Sequence, residues 1–211
     1  MASLKVQPGD VIPIPCKLGQ DLGFVISRVI GRSKVNVIEV FSDFHAETCD
    51  PYAVMEKQSM DPSERLFSPV YASFDFSKYF GKVKWPVLGS VGTHAEWERL
   101  LGEVEFAEAA YQESGRYVRG GVRLKETSDE RRSLEPGTIY SNPQLIHRIN
   151  LHLAGRLDRC EALTSKRLAE LMAEEPSGWL EVELDKCLLI ADEVAIKLRT
   201  YTKRSGRSAS N

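Results

Sequence analysis

Two residues of one polar stretch, His45 and Cys49, have the types that nucleophilic catalysis requires. In such a couple the imidazole acts as the base and the thiol as the nucleophile, provided that the two lie side by side in the folded protein. Their nearness in the sequence does not establish that contact, and no third group has a defined role beside them. We therefore expect a protein without catalytic activity, and an enzyme of unknown class remains an alternative.

The spacing of the other metal-binding and phosphate-binding residue types predicts neither a metal nor a cofactor. His147 and His152 are five positions apart, which places them about 140° apart on a helix, whereas a paired metal site uses a spacing of four. Gly120-Gly121 has neither the GxGxxG nor the GxxxxGK spacing of a phosphate-binding loop. The chain has four scattered cysteines and no CxxC pair, which indicates reduced thiols rather than a zinc site or disulfides.

The stretch from Glu39 to Glu64 is strongly acidic. It contains seven acidic residues and a single base, Lys57, so its local net charge is about −6. The stretch is either a solvated loop or a negative patch that binds a basic partner. The acids that we predict to make such a patch are Asp43, Glu47, Asp50, Glu56, Asp61 and Glu64.

The bulk composition is typical of an ordinary globular protein. The 211 residues carry a net charge of −2, with 42% hydrophobic and 27% charged residues, which gives no reason to expect binding to nucleic acid or to a membrane. A local nucleic-acid-binding surface is an alternative, formed by Arg116, Arg119 and Arg123 on a strand-like stretch. With neither a signal-peptide pattern nor a membrane-spanning run, we expect a cytoplasmic protein.

Three apolar stretches at residues 9–16, 22–31 and 34–44 predict successive strands joined by short turns. Pro13 and Pro15 each remove a backbone donor, so the first strand should lie at an edge. The second strand has apolar residues on both faces and should be central. We predict a small, strongly bent antiparallel sheet or a barrel-like meander.

The second half of the chain has helical patterns. Thr93 should cap a helix over residues 94–101, Asn142 and Thr164 should cap two more, and residues from Asp185 onward form an amphipathic helix. Between these lie two possible strands around Ser114-Gly115 and a polar linker at 125–136. The predicted class is α+β, with a mostly β domain at 1–102, an α-rich region at 103–202 and a disordered tail at 203–211.

Three motifs in the first half resemble the immunity protein 26 family. They are Pro8-Gly9-Asp10-Val11-Ile12-Pro13-Ile14-Pro15, Leu22-Gly23-Phe24-Val25 with Arg28-Val29 behind it, and Lys84-Trp85-Pro86-Val87-Leu88-Gly89. The similarity covers residues 5–102, with Cys16 standing where leucine is more usual. It implies a bacterial immunity protein of a polymorphic toxin system that neutralises a cognate protein toxin, and it brings no catalytic residue to carry over.

The motif residues would then be scaffold and the acidic stretch the interface. The scaffold set is Gly9, Asp10, Gly23, Phe24, Trp85 and Gly89. Trp85 should close the core from a short strand, because aromatic residues in short strands are usually packed. Our functional hypothesis is surface occlusion of a toxin whose basic surface, as on a nuclease, meets the acids.

Overall fold

The computed structural model describes residues 2–32, 35–107, 116–119, 122–125 and 134–204. It has the predicted α+β class: a six-stranded mixed sheet in the N-terminal half, with helices mostly in the C-terminal half. The strands of the main sheet, in chain order, are β2 (Asp10–Leu18), β3 (Asp21–Arg32), β4 (Asn36–Ala46), β5 (Arg65–Ala72), β7 (Gly89–Ser90) and β11 (Ile139–Tyr140).

The order across the main sheet is β11-β5-β4-β3-β2-β7. The predicted meander is confirmed, since β2, β3 and β4 pair antiparallel in succession and β3 is central. The predicted edge position of β2 is wrong, because β7 is the edge strand and pairs with β2 through Asp10 and Val11. Among the described residues, the rest of β2 has no strand neighbour on that outer side. Pro13 and Pro15 therefore sit where β2 has a strand neighbour on one side alone, as their missing donors require. The parallel pairing of β11 with β5 was not predicted.

The ladders of the main sheet contain irregularities. The register between β3 and β4 shifts twice, and the register between β4 and β5 shifts twice more, around Ile38–Val40–Phe41. Such irregularities increase the local twist and curve the strand that carries them. Curvature lets both faces of β3 be covered: Val25 and Val29 lie in one apolar cluster, while Phe24 and Ile26 lie in another.

The C-terminal helices pack on this sheet. Helix α3 (Asn142–Leu153) and helix α5 (Trp179–Arg204) both contact β2 and each other. Ala191 and Ala195 of α5 join the cluster on one side of the sheet, and Val194 and Leu198 join the cluster on the other. Helix α5 thus supplies side chains to both clusters.

Two of the four predicted helix starts are confirmed. Thr93 caps α2 (His94–Gly102) by accepting from the backbone N–H of Glu96, and Thr164 caps α4 (Ser165–Ala173). The cap of α3 is Ser141 rather than Asn142, because the Ser141 backbone N–H donates to Gln144. Helix α5 begins at Trp179, six residues before the predicted start at Asp185.

The smaller strands complete the fold. Strand β1 (Ala2–Ser3) pairs with β6 (Asp75–Phe76), while β8 (Glu105–Ala107), β9 (Arg116–Arg119) and β10 (Val122–Lys125) form a three-stranded antiparallel sheet. Of the two possible strands predicted around Ser114-Gly115, the second is divided into β9 and β10. Residues 205–211 of the predicted tail and residues 126–133 of the predicted linker lie outside the described residues.

Two buried residues differ from the sequence prediction, Trp85 in its backbone conformation and Glu135 in its exposure. Trp85 is in the core as expected, 1% exposed and edge-on to Phe74 and Phe76, but the backbone around it is irregular rather than a strand. Glu135, expected in an exposed linker, is 2% exposed because it pairs with the buried Arg148.

No described helix combines the length and the apolar character needed to cross a bilayer.

Candidate functional site

The acidic stretch comprises the end of β4, which carries Glu39 and Asp43, and two short helices that follow it. Helix α1 (Pro51–Lys57) is capped by Asp50, whose carboxylate accepts from the backbone N–H of Tyr52 at 3.0 Å. A 3-10 helix (Pro62–Glu64) is capped by Asp61, which accepts from the Ser63 backbone at 2.8 Å. Hydrogen bonds from Ser63 hold the pKa of Asp61 below its usual value. Capping fixes both aspartates in place while leaving them exposed.

Asp43 is held from the other side of the same region. Gln58 follows α1 and donates through Nε2 to Asp43 Oδ2 at 3.3 Å, while its Oε1 lies 3.2 Å from His45 Nε2. These residues line an open groove of about 460 Å³ between the end of β4 and α1, whose walls are Asp43, His45, Cys49, Asp50, Ala53, Val54, Lys57 and Gln58. Two predicted patch residues, Asp43 and Asp50, therefore border one concave surface.

Two of the predicted patch acids meet bases from distant parts of the chain. Glu47 forms an ion pair with Lys197 of α5, and this pair raises the pKa of the lysine. Glu64 lies 3.8 Å from Arg159. Glu56 is exposed on α1. The acids without a salt bridge to any described base are thus Asp43, Asp50, Glu56 and Asp61, which we call the acidic face.

A buried ion network lies beneath the acidic face. Glu39, which was counted in the charge of the acidic stretch but not predicted to be part of the patch, is 0% exposed and belongs to the interior. Its carboxylate accepts from Arg28 Nε at 2.8 Å and from Arg65 Nε at 2.7 Å. Arg28 also bonds Glu96 of α2 and the backbone oxygen of Met60. Because Met60 precedes Asp61 and Arg65 follows the 3-10 helix, this network anchors that end of the acidic stretch.

Sequence reasoning missed this network, although one signal was available. Arg28 falls among the apolar positions of β3, and a charged residue on a buried strand predicts a buried partner. The spacing of residues along the sequence does not indicate that Lys197 forms a salt bridge with Glu47 or that Arg159 forms one with Glu64.

Three of the predicted scaffold residues meet where β2 pairs with β7. Gly9 has a φ of +92°, and a Cβ added there would overlap the Trp97 ring of α2. Asp10 is 7% exposed and accepts from the backbone N–H of Gln7 at 2.9 Å and from the Ser90 hydroxyl. Gly89 faces Met55 of α1, so this junction supports the helix that carries Glu56.

The other scaffold residues, apart from Trp85 in the core, lie next to the groove. A Cβ on Gly23 would overlap the backbone oxygen of His45, so only glycine allows β3 to approach β4 this closely. Phe24 is fully buried, and its ring centroid lies 5.5 Å from that of His45. The motif residues therefore position the wall of the groove.

The thiols give little support to a nucleophilic site. His45 and Cys49 border the same groove, but among the described residues they make no hydrogen bond to each other. Cys16 and Cys187 are buried, and burial raises the pKa of both thiols, that of Cys187 to about 12. Neither buried thiol would form a thiolate near neutral pH.

The two helical histidines are packing residues. His147 and His152 are 5% and 7% exposed, and burial lowers the pKa of each, that of His152 to about 4. The His152 ring lies over Phe67, which also contacts the guanidinium of Arg148 at 4.2 Å. Within the described ranges, no group of three histidine, cysteine or acidic side chains could hold a metal ion.

The alternative nucleic-acid residues fall on β9 and β10. Arg116 pairs in register with Lys125, Arg119 with Val122, and Arg123 with Val118. The structure describes only the strand pairing of these arginines, so their contribution to a basic surface remains a prediction.

Known proteins provide no further guide to the site. No protein-family model, curated protein or solved structure matches the chain. The resemblance to the immunity protein 26 family therefore rests on the motif residues alone, and the function is argued from the geometry of the acidic face.

Proposed function

We propose that the chain is an immunity protein that binds a basic bacterial toxin through the acidic face and neutralises it by occlusion, without catalysis of its own. The observation that carries the proposal is the acidic face itself. It holds four acids that are exposed and have no salt bridge to a described base. Three of the four are fixed by hydrogen bonds from neighbouring groups.

Fixed charges suit recognition better than mobile ones. A side chain that is already held in place loses less conformational entropy when a partner binds. Asp50 and Asp61 are held by backbone donors and Asp43 by an amide, so neutral groups fix all three carboxylates and leave them further acceptor capacity. The acidic face would therefore attract the lysines and arginines of a basic toxin, such as a nuclease, and speed their encounter.

The groove beside α1 gives the acidic face a concave surface with both acidic and apolar walls. Asp43 and Asp50 border it, and Ala53 and Val54 provide apolar wall. A lysine or arginine side chain places its aliphatic stem on apolar surface and its charged head on carboxylates. This combination supports an interface with a basic protein rather than with a nucleic acid, whose phosphates the same carboxylates would repel.

Co-expression tests the proposal most simply. The toxin to be tested is any large multidomain protein encoded next to this chain, and the wild-type chain should restore growth to cells that produce it. The variant Asp43→Asn/Asp50→Asn/Glu56→Gln should protect less well, because amides keep the shape and the caps but remove three charges.

The matched control removes three exposed acids on α4 and at the end of α2: Glu103→Gln/Glu170→Gln/Glu174→Gln. It should protect as well as the wild type. Equal protection by the first variant, at equal protein level, would contradict the assignment of the interface. A failure of the wild type to protect would contradict the proposed function.

A further inference from the structure

Helix α5 has an apolar stripe on its outer face. Val182, Leu189 and Ile196 are 52%, 72% and 57% exposed. They are seven positions apart, a spacing that keeps side chains on nearly one line along a helix and is the repeat of helix–helix pairing. Scattered apolar residues on a surface are ordinary, but an aligned set on one helix indicates a contact surface.

We propose that this stripe binds a second copy of the chain, with the two α5 helices antiparallel and crossing at Leu189. The stripe is symmetric about that residue. Since Val182 and Ile196 are equally far from it, a two-fold axis at Leu189 brings Val182 of each copy against Ile196 of the other. A surface that matches itself in this way is what a two-fold dimer requires.

Charges beside the stripe match in the same arrangement. Lys186 and Glu193 lie on the same side of the stripe. Along the helix axis, Lys186 is about 4.5 Å from Leu189 towards the N-terminus and Glu193 is about 6 Å from it towards the C-terminus. The two-fold axis places each Lys186 across from Glu193 of the other copy. Both are more than half exposed, at 54% and 55%, and each also has a salt bridge within its own helix, Lys186 with Glu183 and Glu193 with Lys197. An ammonium has three donors and a carboxylate several acceptor sites, so each can take a second partner.

The other side of the stripe selects the antiparallel direction. Glu181 and Arg199 lie on that side and are both exposed. In an antiparallel pair, Glu181 of each copy lies opposite Arg199 of the other. In a parallel pair, neither residue lies opposite a residue of the other charge. Asp185 would face Asp192, but the Asp192 carboxylate is turned into its own protein and accepts from the backbone N–H groups of Lys82 and Val83. Opposed helix dipoles add to the preference.

The length of the stripe sets the strength of the pairing. Three residues at this spacing cover about 21 Å of a single helix. An interface of one helix width belongs to the small end of specific interfaces, so association should be weak. The dimer should therefore form in the micromolar range of concentration.

Sedimentation velocity of the full chain tests the proposal, between about 1 µM and about 1 mM. The average mass should rise with concentration from 23.7 kDa towards twice that value. Leu189→Glu should weaken association by about 100-fold or more, because it places two carboxylates on the two-fold axis. Its folding, checked by circular dichroism, should be unchanged, since the site is exposed.

The control is Met172→Glu, which changes an exposed apolar residue on α4 outside the stripe and should associate as the wild type does. The direction is tested by oxidation in a Cys49→Ser/Cys160→Ser background. Leu189→Cys should cross-link two copies, and Val182→Cys should cross-link only when Ile196→Cys is also present. A wild type that stays monomeric at every concentration, a Leu189→Glu variant that still dimerises, or cross-linking by Val182→Cys alone would overturn the proposal.

Discussion

His152 should make the stability of the protein depend on pH. Its ring is buried against Phe67, with 5.0 Å between centroids. Burial, and next the positive charge of Arg148, lower its pKa from 6.5 to about 4. The backbone of Leu157 and Asp158 and the carboxylate of Glu161 act in the opposite direction but are outweighed.

The sign and the size of the effect follow from the two pKa values. An unfolded chain protonates this histidine near pH 6.5, whereas the folded protein does so only near pH 4. Between these values the unfolded state binds more protons, so the free energy of unfolding decreases as the pH falls. The full contribution, about 3 kcal/mol, is present above pH 6.5 and is lost by about pH 4.

Urea unfolding of the wild type and of His152→Phe, at pH 7.5 and at pH 4.5, measures this contribution. The difference in unfolding free energy between the two proteins should change by about 2–3 kcal/mol between these pH values. His147, whose pKa is also lowered, is present in both proteins and cancels in the comparison. His94→Phe, a change at the surface, is the control. An identical pH dependence for the wild type and His152→Phe would refute the reasoning.

Three further changes test the packing and the support of the acidic face. Trp85→Ala should destabilise by roughly 3–5 kcal/mol in guanidinium unfolding, because it empties a fully packed site; a loss below about 1 kcal/mol would place Trp85 outside the core. Glu39→Gln should cost about 3–5 kcal/mol, since Arg28 and Arg65 would lose their shared counter-charge, and equal stability would contradict the network. Asp50→Ala should cost about 1 kcal/mol and Asp50→Asn much less, because asparagine still caps α1; equal losses in thermal unfolding would argue against the cap.

The N-terminal sheet was predictable from the sequence because its signals are local. Alternating apolar residues bounded by glycine and proline predicted β2, β3 and β4. The edge position that Pro13 and Pro15 predicted for β2 is occupied by β7, which pairs with Asp10 and Val11 alone. The caps at Thr93 and Thr164 were also readable, since a cap and its helix are adjacent in the chain. The parallel pairing of β11 with β5 joins residues far apart in the sequence, and no local pattern reports it.

The acidic stretch was recognised by composition, but its surface charge was not. A count along the sequence treats every acid alike, whereas folding buries Glu39 and pairs Glu47 with Lys197, 150 positions away. The charge that a partner would meet depends on such long-range contacts. The sequence count therefore overestimated the unpaired charge of the stretch: of the six predicted patch acids, Asp43, Asp50, Glu56 and Asp61 have no salt bridge to a described base.

The association rate constant with the toxin, measured by stopped flow at low and at high salt, tests the proposed interface most directly. The wild type should bind much faster at low salt, because charge steering raises association rates by 10-fold or more and is screened by salt. Asp43→Asn/Asp50→Asn/Glu56→Gln should lose most of that salt dependence, and Glu103→Gln/Glu170→Gln/Glu174→Gln should keep it. Equal rates and equal salt dependence for the two variants would show that the acidic face does not bind the toxin.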